Sequence, residues 1–285
     1  MLEMVGSTGI GGAGAPRSIA FEAFGVRIGV TADPAELLSS VARLLPPGSR
    51  RCVPAGVTES FGIVADADGT YRFTRDDSPV IDGVDLELTL LMLDNQFRVS
   101  IGLHAPNRIF VHAGVVACND RAIIIPGLSM AGKTSLVLAL IRAGAVYYSD
   151  EFAVFDEQGY VHPYPKPLSI REGDVVQNDR PPEAFGAVVG SERLRIGAVI
   201  FTRYRPGAEW KPTQLSPARG ALAMLENTLA ALKRSEEAIR LIKRAIDGAV
   251  LLEGERGEAG AVARQLLDAC PASRKPHAAS RPQDV

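Results

Sequence analysis

Short runs of hydrophobic residues, separated by turn-forming residues, predict a first α/β region over residues 17–105. The runs indicate, in order, a strand or hairpin in Phe21–Val30, a helix from Pro34 to Leu45, a hairpin around Asp66–Gly69 and a buried helix over Asp85–Leu103. The last stretch is mostly apolar, and its short runs also fit a strand.

A second region, residues 106–270, alternates strand-like and helix-like patterns. The predicted elements are strands at Ile109–Cys118 and Arg121–Ile125, a helix over Gly132–Ala143, a strand over Ala145–Phe155 with a return at Tyr160-Val161, a strand at Ile196–Phe201, a helical region from Ser216 to Ile246, a strand at Ala249–Leu252 and a final helix. Strands alternating with helices and hairpins predict a mixed-sheet α/β domain.

The first two strands of this region are separated only by Asn119-Asp120. Two residues cannot form a parallel crossover, so we predict an antiparallel hairpin in which Cys118 pairs with Arg121. Counting back along both strands puts His112 opposite Gly127. We therefore expect an imidazole near Gly127, although a packed strand histidine explains the same pattern.

Composition narrows the classes of protein. The 285 residues are 46% hydrophobic and 22% charged, with a net charge of −2, which excludes global disorder and gives no basic field for nucleic acid or anionic membranes. The three cysteines are far apart, so no disulfide framework or zinc site is expected. Without an apolar leader or a long apolar span, we expect a soluble cytoplasmic protein, with disordered tails at 1–16 and 271–285.

The segment GLSMAGKT, residues 127–134, matches the G-x-x-x-x-G-K-[ST] pattern of a phosphate-binding loop (P-loop). Its glycines let backbone N–H groups surround a phosphate, Lys133 neutralises phosphate charge, and the Thr134 hydroxyl binds Mg²⁺. The pattern follows a strand and opens a helix, as this chemistry requires. The nucleotide-binding residues predicted are Gly127, Leu128, Ser129, Met130, Ala131, Gly132, Lys133, Thr134 and Ser135.

Two acids, Asp150 and Glu151, end the strand that follows the loop helix. If that strand is parallel to the loop strand and beside it, both carboxylates reach the phosphate end of the sheet. One carboxylate can help to hold Mg²⁺, and the other can accept a proton from an attacking hydroxyl. A solvent-facing acidic strand end is the alternative. Weaker candidates for binding phosphate or an acidic substrate are Lys166, Arg171, Arg203 and Arg205.

Over roughly Val111–Leu267, the chain resembles the catalytic domain of HPr kinase/phosphorylase and the wider group of HPr-kinase-like serine kinases. The resemblance rests on the segments HAGVV, GLSMAGKTSL, SDE, PYPKPLSIREG and RIGAVIFTRYRPG. It implies a P-loop kinase core with the fold of ATP-dependent phosphoenolpyruvate carboxykinase, preceded by a smaller α/β region. It also implies a homo-oligomer.

Carried over to this sequence, the resemblance implies that Asp150 is the base, that His112 is an active-site histidine, and that Thr134 and Glu151 hold Mg²⁺. Glu151 stands where the family has a second aspartate. The function expected is an ATP-dependent kinase acting on a serine or other hydroxyl of a protein, peptide or small molecule. A nucleotide-binding regulatory module and a hydrolytic ATPase stay open as alternatives.

Overall fold

The computed structural model describes residues 17–127, 132–172 and 176–268. The chain divides into two compact units, Met1–Arg98 and Val99–Val285, and the division falls within one long helix. The predicted disordered tails lie outside the described residues.

The first unit contains a mixed sheet in the order β3-β1-β2-β4-β5-β6. Its elements are β1 (Arg17–Ala23), β2 (Val26–Asp33), α1 (Leu37–Arg43), β3 (Arg50–Arg51), β4 (Glu59–Ala65), β5 (Tyr71–Arg75), β6 (Ser78–Val84) and the first part of α2 (Leu86–His104). The Phe97 ring of α2 packs 5.0 Å from the Phe21 ring and 5.6 Å from the Phe61 ring. The two predicted hairpins and the buried helix are confirmed, and the helix predicted from Pro34 to Leu45 is shorter.

The second unit contains the larger sheet, in the order β11-β10-β7-β8-β14-β16-β15, with β9 paired to β7. Its elements are β7 (Arg108–Cys118), β8 (Arg121–Pro126), α3 (Lys133–Arg142), β9 (Val146–Ser149), β10 (Phe152–Asp156), β11 (Tyr160–His162), β12 (Leu168–Glu172), β13 (Val176–Arg180), a 3-10 turn (Pro182–Phe185), β14 (Leu194–Tyr204), β15 (Thr213–Gln214), α4 (Pro217–Leu225), α5 (Ser235–Ala245), β16 (Val250–Arg256) and α6 (Ala259–Asp268). Parallel and antiparallel pairs in one sheet confirm the predicted mixed α/β class.

Helices cover both faces of this sheet, because its strands are apolar on both sides. Val115 and Ile124 face α4 and α5, whereas Val116 and Ile123 face α3 and α6. Strands β8, β14 and β16 run parallel, so their carboxyl ends lie at the same edge. In α/β sheets, ligands bind at that edge.

The predicted hairpin register is confirmed. Cys118 pairs with Arg121, Ala113 pairs with Pro126, and the N–H of Gly127 donates to the carbonyl of His112 at 3.2 Å. Gly114 lies in this hairpin, and a Cβ placed on it would lie 2.5 Å from a methyl group of Val137. The absence of a side chain at Gly114 therefore lets α3 pack closely on β7.

Two predicted elements are each interrupted. The strand expected over Ala145–Phe155 is two strands, β9 and β10, which pair one after the other with β7 and are broken at Asp150-Glu151. The helical region expected from Ser216 to Ile246 is α4 and α5, because Thr228 leaves the helix to form a bridge with Val111. Pairing with β7 outweighs the local preference in both cases.

Candidate functional site

The predicted phosphate-binding loop begins at the carboxyl end of β8 and ends at the start of α3. Gly132 has a φ of +74°, a left-handed conformation that favours glycine, and α3 begins at the next residue, Lys133. Leu128, Ser129, Met130 and Ala131 lie outside the described residues. The strand–loop–helix context expected for this motif is therefore present on both sides of the loop.

The two acids lie at the break between β9 and β10. Ser149 is fully buried, and its hydroxyl accepts hydrogen bonds from the N–H groups of Glu151 at 3.1 Å and Phe152 at 3.0 Å. The carbonyl of Glu151 accepts from the N–H of Ala113 at 3.0 Å. These contacts fix the bend that presents both carboxylates.

One part of the prediction is wrong: β9 does not lie beside the loop strand. Strand β7 separates them and is antiparallel to both β8 and β9, so β8 and β9 still run in the same direction. A register shift between Val115 and Val116 of β7 accompanies this pairing. Such irregularities commonly re-aim side chains next to active sites.

The break joins the loop helix through a direct contact. The hydroxyl of Thr134 donates to Oδ2 of Asp150 at 2.7 Å. The other carboxylate oxygen, Oδ1, is buried and has no hydrogen-bond partner among the described residues. The structure thus brings together the two predicted residues Thr134 and Asp150 and leaves one acceptor atom of Asp150 unsatisfied.

Burial dominates the electrostatics of this contact. It raises the pKa of Asp150 to about 6, and the charge of Glu151 adds to the rise, whereas Thr134, Lys133 and Lys166 oppose it. Burial also lowers the pKa of Lys133, against the attraction of Asp150 and Glu151. A carboxyl group with a pKa near neutrality is suited to accept a proton at physiological pH.

Glu151 forms an ion pair with Lys166, whose Nζ lies 3.4 Å from Oε2. The carbonyl of Lys166 accepts from the buried Tyr147 hydroxyl at 2.6 Å, which holds the backbone of this lysine beside β9. Lys166, which the sequence offers as a weaker candidate for binding phosphate or an acidic substrate, therefore lies in the candidate site.

His112 lies where the hairpin register predicted, but its ring packs against another side chain. The imidazole centroid is 4.6 Å from that of Phe152, the cross-strand partner of His112 on β10. Its backbone N–H donates to the carbonyl of Asn227 at 2.8 Å. The active-site role assigned to this histidine stays a prediction.

Arg256, at the carboxyl end of β16, is a site residue that the sequence analysis missed. It is 2% exposed, and its Nη2 donates to the carbonyl of Gly132 at 2.8 Å. Burial lowers the pKa of its guanidinium, and the charge of Glu258 opposes that effect. No sequence signal marks Arg256, because the strand predicted at Ala249–Leu252 ends before it. The weaker candidates Arg203 and Arg205 are exposed.

The remaining predicted residues are less informative. Ser135 is exposed on the first turn of α3. Arg205 pairs with Glu255 at 2.7 Å on the surface, and the side chain of Arg171 lies outside the described residues. Within residues 17–127, 132–172 and 176–268, no cluster of three or more His, Cys, Asp or Glu side chains could hold a metal ion. None of the helices in the same ranges is long and apolar enough to span a membrane.

A search of solved structures finds 43 chains that match this one, among them a kinase/phosphatase. The HPr(Ser) kinase/phosphatase from Coxiella burnetii is similar to 55% of this chain and to 96% of its own, with 17% sequence identity and a TM-score of 0.28. No protein-family model matches the chain. A search of curated proteins found no match.

Proposed function

We propose that the second unit is an ATP-dependent kinase that phosphorylates a hydroxyl group of a protein, peptide or small molecule in the cytoplasm. The observation that carries this proposal is the Thr134–Asp150 contact of 2.7 Å, beside Lys133 at the start of α3. Binding of a nucleotide alone needs only the loop, whereas a buried carboxylate held at the loop helix supplies an acid–base group.

ATP is the proposed phosphoryl donor. The loop matches the P-loop pattern, and the N–H groups of the first turn of α3 point toward the loop as a helix N-terminus does, which favours an anion there. Lys133 would neutralise charge on the β- and γ-phosphates. Its burial strengthens this attraction, since charges interact more strongly away from water.

The residues present fit Mg²⁺. Thr134 uses its proton in the bond to Asp150, which leaves oxygen lone pairs for a cation, and Glu151 supplies a second hard oxygen ligand. Mg²⁺ commonly binds through one or two protein groups plus substrate phosphates, so a cage of three carboxylates is not needed. When bound, Mg²⁺ supplies neutralisation of phosphate charge.

Asp150 is the proposed proton acceptor. Its unsatisfied Oδ1 can take the proton of an acceptor hydroxyl while the acceptor oxygen bonds to the γ-phosphorus and the bond from that phosphorus to the β–γ bridging oxygen breaks. The products are a phosphoester and ADP. Lys166 would hold the Glu151 carboxylate in position during this step.

The test is transfer of label from [γ-³²P]ATP to acceptors in a cell lysate by the full-length protein. We expect an acid-stable phosphoester with wild type and at least a hundredfold less with Asp150→Asn, a loss of the size typical for a general base. Asp120→Asn, the same change on the exposed hairpin turn at the far end of β8, is the matched control and should label as wild type does.

Other outcomes assign the alternatives. Phosphate release that depends on Asp150, without a labelled acceptor, would make the protein a hydrolytic ATPase. Binding of ATP without turnover would make it a regulatory module. Equal losses of ATP affinity and rate in Asp150→Asn would make Asp150 a metal ligand and Glu151 the base.

A further inference from the structure

Arg256 places a buried positive charge next to the last glycine of the loop. Strand β16 runs parallel to β14, and β14 runs parallel to the loop strand β8, so the sheet brings the end of β16 to the edge where α3 begins. The guanidinium carbon lies 5.5 Å from the centroid of the Tyr204 ring, which covers it. The sheet therefore positions the backbone of Arg256, from which its side chain reaches the loop.

The guanidinium donates to two backbone carbonyls. Its Nη2 bonds to Gly132 at 2.8 Å and its Nη1 to Gly257 at 3.1 Å. Its Nε is buried without a hydrogen-bond partner, and in the part of the chain that the structure describes Arg256 forms no ion pair. An arginine that spans two carbonyls restricts the direction of both. At Gly132 it acts together with the first hydrogen bond of α3, which the N–H of Leu136 donates to the same carbonyl at 3.3 Å.

The carbonyl of Gly132 and the N–H of Lys133 belong to the same peptide unit. In a trans peptide these two groups point in opposite directions. Fixing the carbonyl toward Arg256 therefore turns the Lys133 N–H away from Arg256. This N–H lies in the first turn of α3, whose N–H groups bind anions in phosphate-binding loops.

We propose that Arg256 is a positioning residue for nucleotide binding: it orients the Gly132–Lys133 peptide so that the Lys133 N–H donates to a nucleotide phosphate. This inference rests on the proposed function, since it assumes that the loop binds ATP. The charge also contributes, because a hydrogen bond from a guanidinium to the carbonyl polarises the peptide and strengthens its N–H as a donor.

The test compares Kd for Mg·ATP in Arg256→Lys, Arg256→Met and wild type by calorimetry. Arg234→Lys is the matched control, because Arg234 also donates to backbone carbonyls, at 2.9 Å to Ala105 and 3.3 Å to Arg108, without contacting the loop. We expect Arg256→Met to weaken binding at least tenfold. Arg256→Lys should weaken it less, because lysine keeps the charge but cannot span both carbonyls.

A purely structural arginine would behave differently. Both Arg256→Lys and Arg234→Lys should lower the unfolding temperature, but only the Arg256 variants should change Kd. If Arg256→Lys and Arg256→Met bind Mg·ATP like wild type, or if Arg234→Lys weakens binding equally, the inference is wrong and the proposed function stands. If wild type does not bind Mg·ATP, the proposed function fails and the inference fails with it.

Hydrogen exchange in wild type provides a measurement that needs no variant. Mg·ATP should slow hydrogen exchange of the Lys133 amide. Exchange of the β11 amides should not change, because β11 follows the end of β10 that is away from Asp150. Unchanged exchange of the Lys133 amide at saturating Mg·ATP would overturn the inference even if Arg256→Met does not fold.

Discussion

Asp150 is the residue where stability and the proposed function oppose each other most directly. Its carboxyl group is buried at the break between two strands, it accepts one hydrogen bond from Thr134, and its Oδ1 is unsatisfied. A buried acceptor without a hydrogen-bond partner lowers the stability of the folded protein, because water hydrates the same group in the unfolded chain. Such a cost persists at functional sites when the surrounding structure enforces it.

This cost predicts a pH dependence of stability in the metal-free protein. Burial raises the pKa of Asp150 from 3.8 to about 6, so between these values the folded protein keeps a proton that the unfolded chain releases. Stability from this group therefore falls as pH rises through that window, and Asp150→Asn removes the effect. Between pH 4 and pH 8, the free energy of unfolding of the variant should rise by about 2 kcal/mol relative to that of wild type.

Urea unfolding in EDTA at both pH values measures this difference. The stability of Asp150→Asn should approach that of wild type at pH 4 and exceed it at pH 8. A difference between the two proteins that stays constant with pH would contradict the burial of an ionisable group at this position.

The sequence predicts the site residues unequally, for physical reasons. Thr134 could be predicted because it belongs to a short motif. Asp150 could be predicted because it ends the strand that follows the loop helix. Arg256 could not be, because its partner Gly132 is more than a hundred residues away and only the parallel order of three strands brings them together. Ser149 directly precedes the two acids in sequence, but its role depends on a bend that no local pattern predicts.

At the scale of elements, the close packing of α3 on β7 sets the position of the first turn of α3. Gly114 has no side chain, and a Cβ there would lie 2.5 Å from Val137 on α3. Gly114→Ala should therefore push α3 outward, destabilise the protein by about 1–3 kcal/mol and weaken Mg·ATP binding, since the N–H groups proposed to bind phosphate move with the helix.

Gly260→Ala is the matched control for this prediction. Gly260 lies on α6, and no atom would lie within 4 Å of an added Cβ, so alanine should stabilise the helix by about 0.5–1 kcal/mol and leave nucleotide affinity unchanged. Thermal unfolding and a Kd for each variant decide the matter. Gly114→Ala with wild-type stability would show that α3 accommodates the methyl group without moving.

Local patterns predicted elements well where a short turn joins two strands. They predicted elements poorly where a strand pairs with a segment far away in the sequence. The two-residue turn at Asn119-Asp120 fixed the register of β7 and β8 because nothing else could join those strands. Both edges of β7 accept further partners, and these interrupt elements that look continuous in sequence. Thr228 pairs with one part of β7, and the β9–β10 break lies at another.

At the scale of the whole molecule, every residue assigned to the proposed site belongs to the second unit, Val99–Val285. Lys133 and Thr134 begin α3, Asp150 lies between β9 and β10, Lys166 lies between β11 and β12, and Arg256 ends β16. A ligand that binds them adds contacts only to the folded form of that unit. Its binding energy should therefore appear as added stability of the second unit.

Mg·ATP at about 100 times its Kd should stabilise wild type by about 2.7 kcal/mol, a rise of roughly 5–10 °C in the unfolding temperature of a unit of this size. Lys133→Ala should fold but show no such rise, because the phosphate charge is no longer neutralised by Lys133. Lys243→Ala, which removes a lysine from the far end of α5, should respond like wild type.

Thermal scans with and without Mg·ATP measure the shift, and hydrogen exchange should find the added protection in strands β7, β8 and β14. An equal shift in Lys133→Ala, or protection confined to the sheet of the first unit, would mean that ATP binds elsewhere and that the loop is not its site.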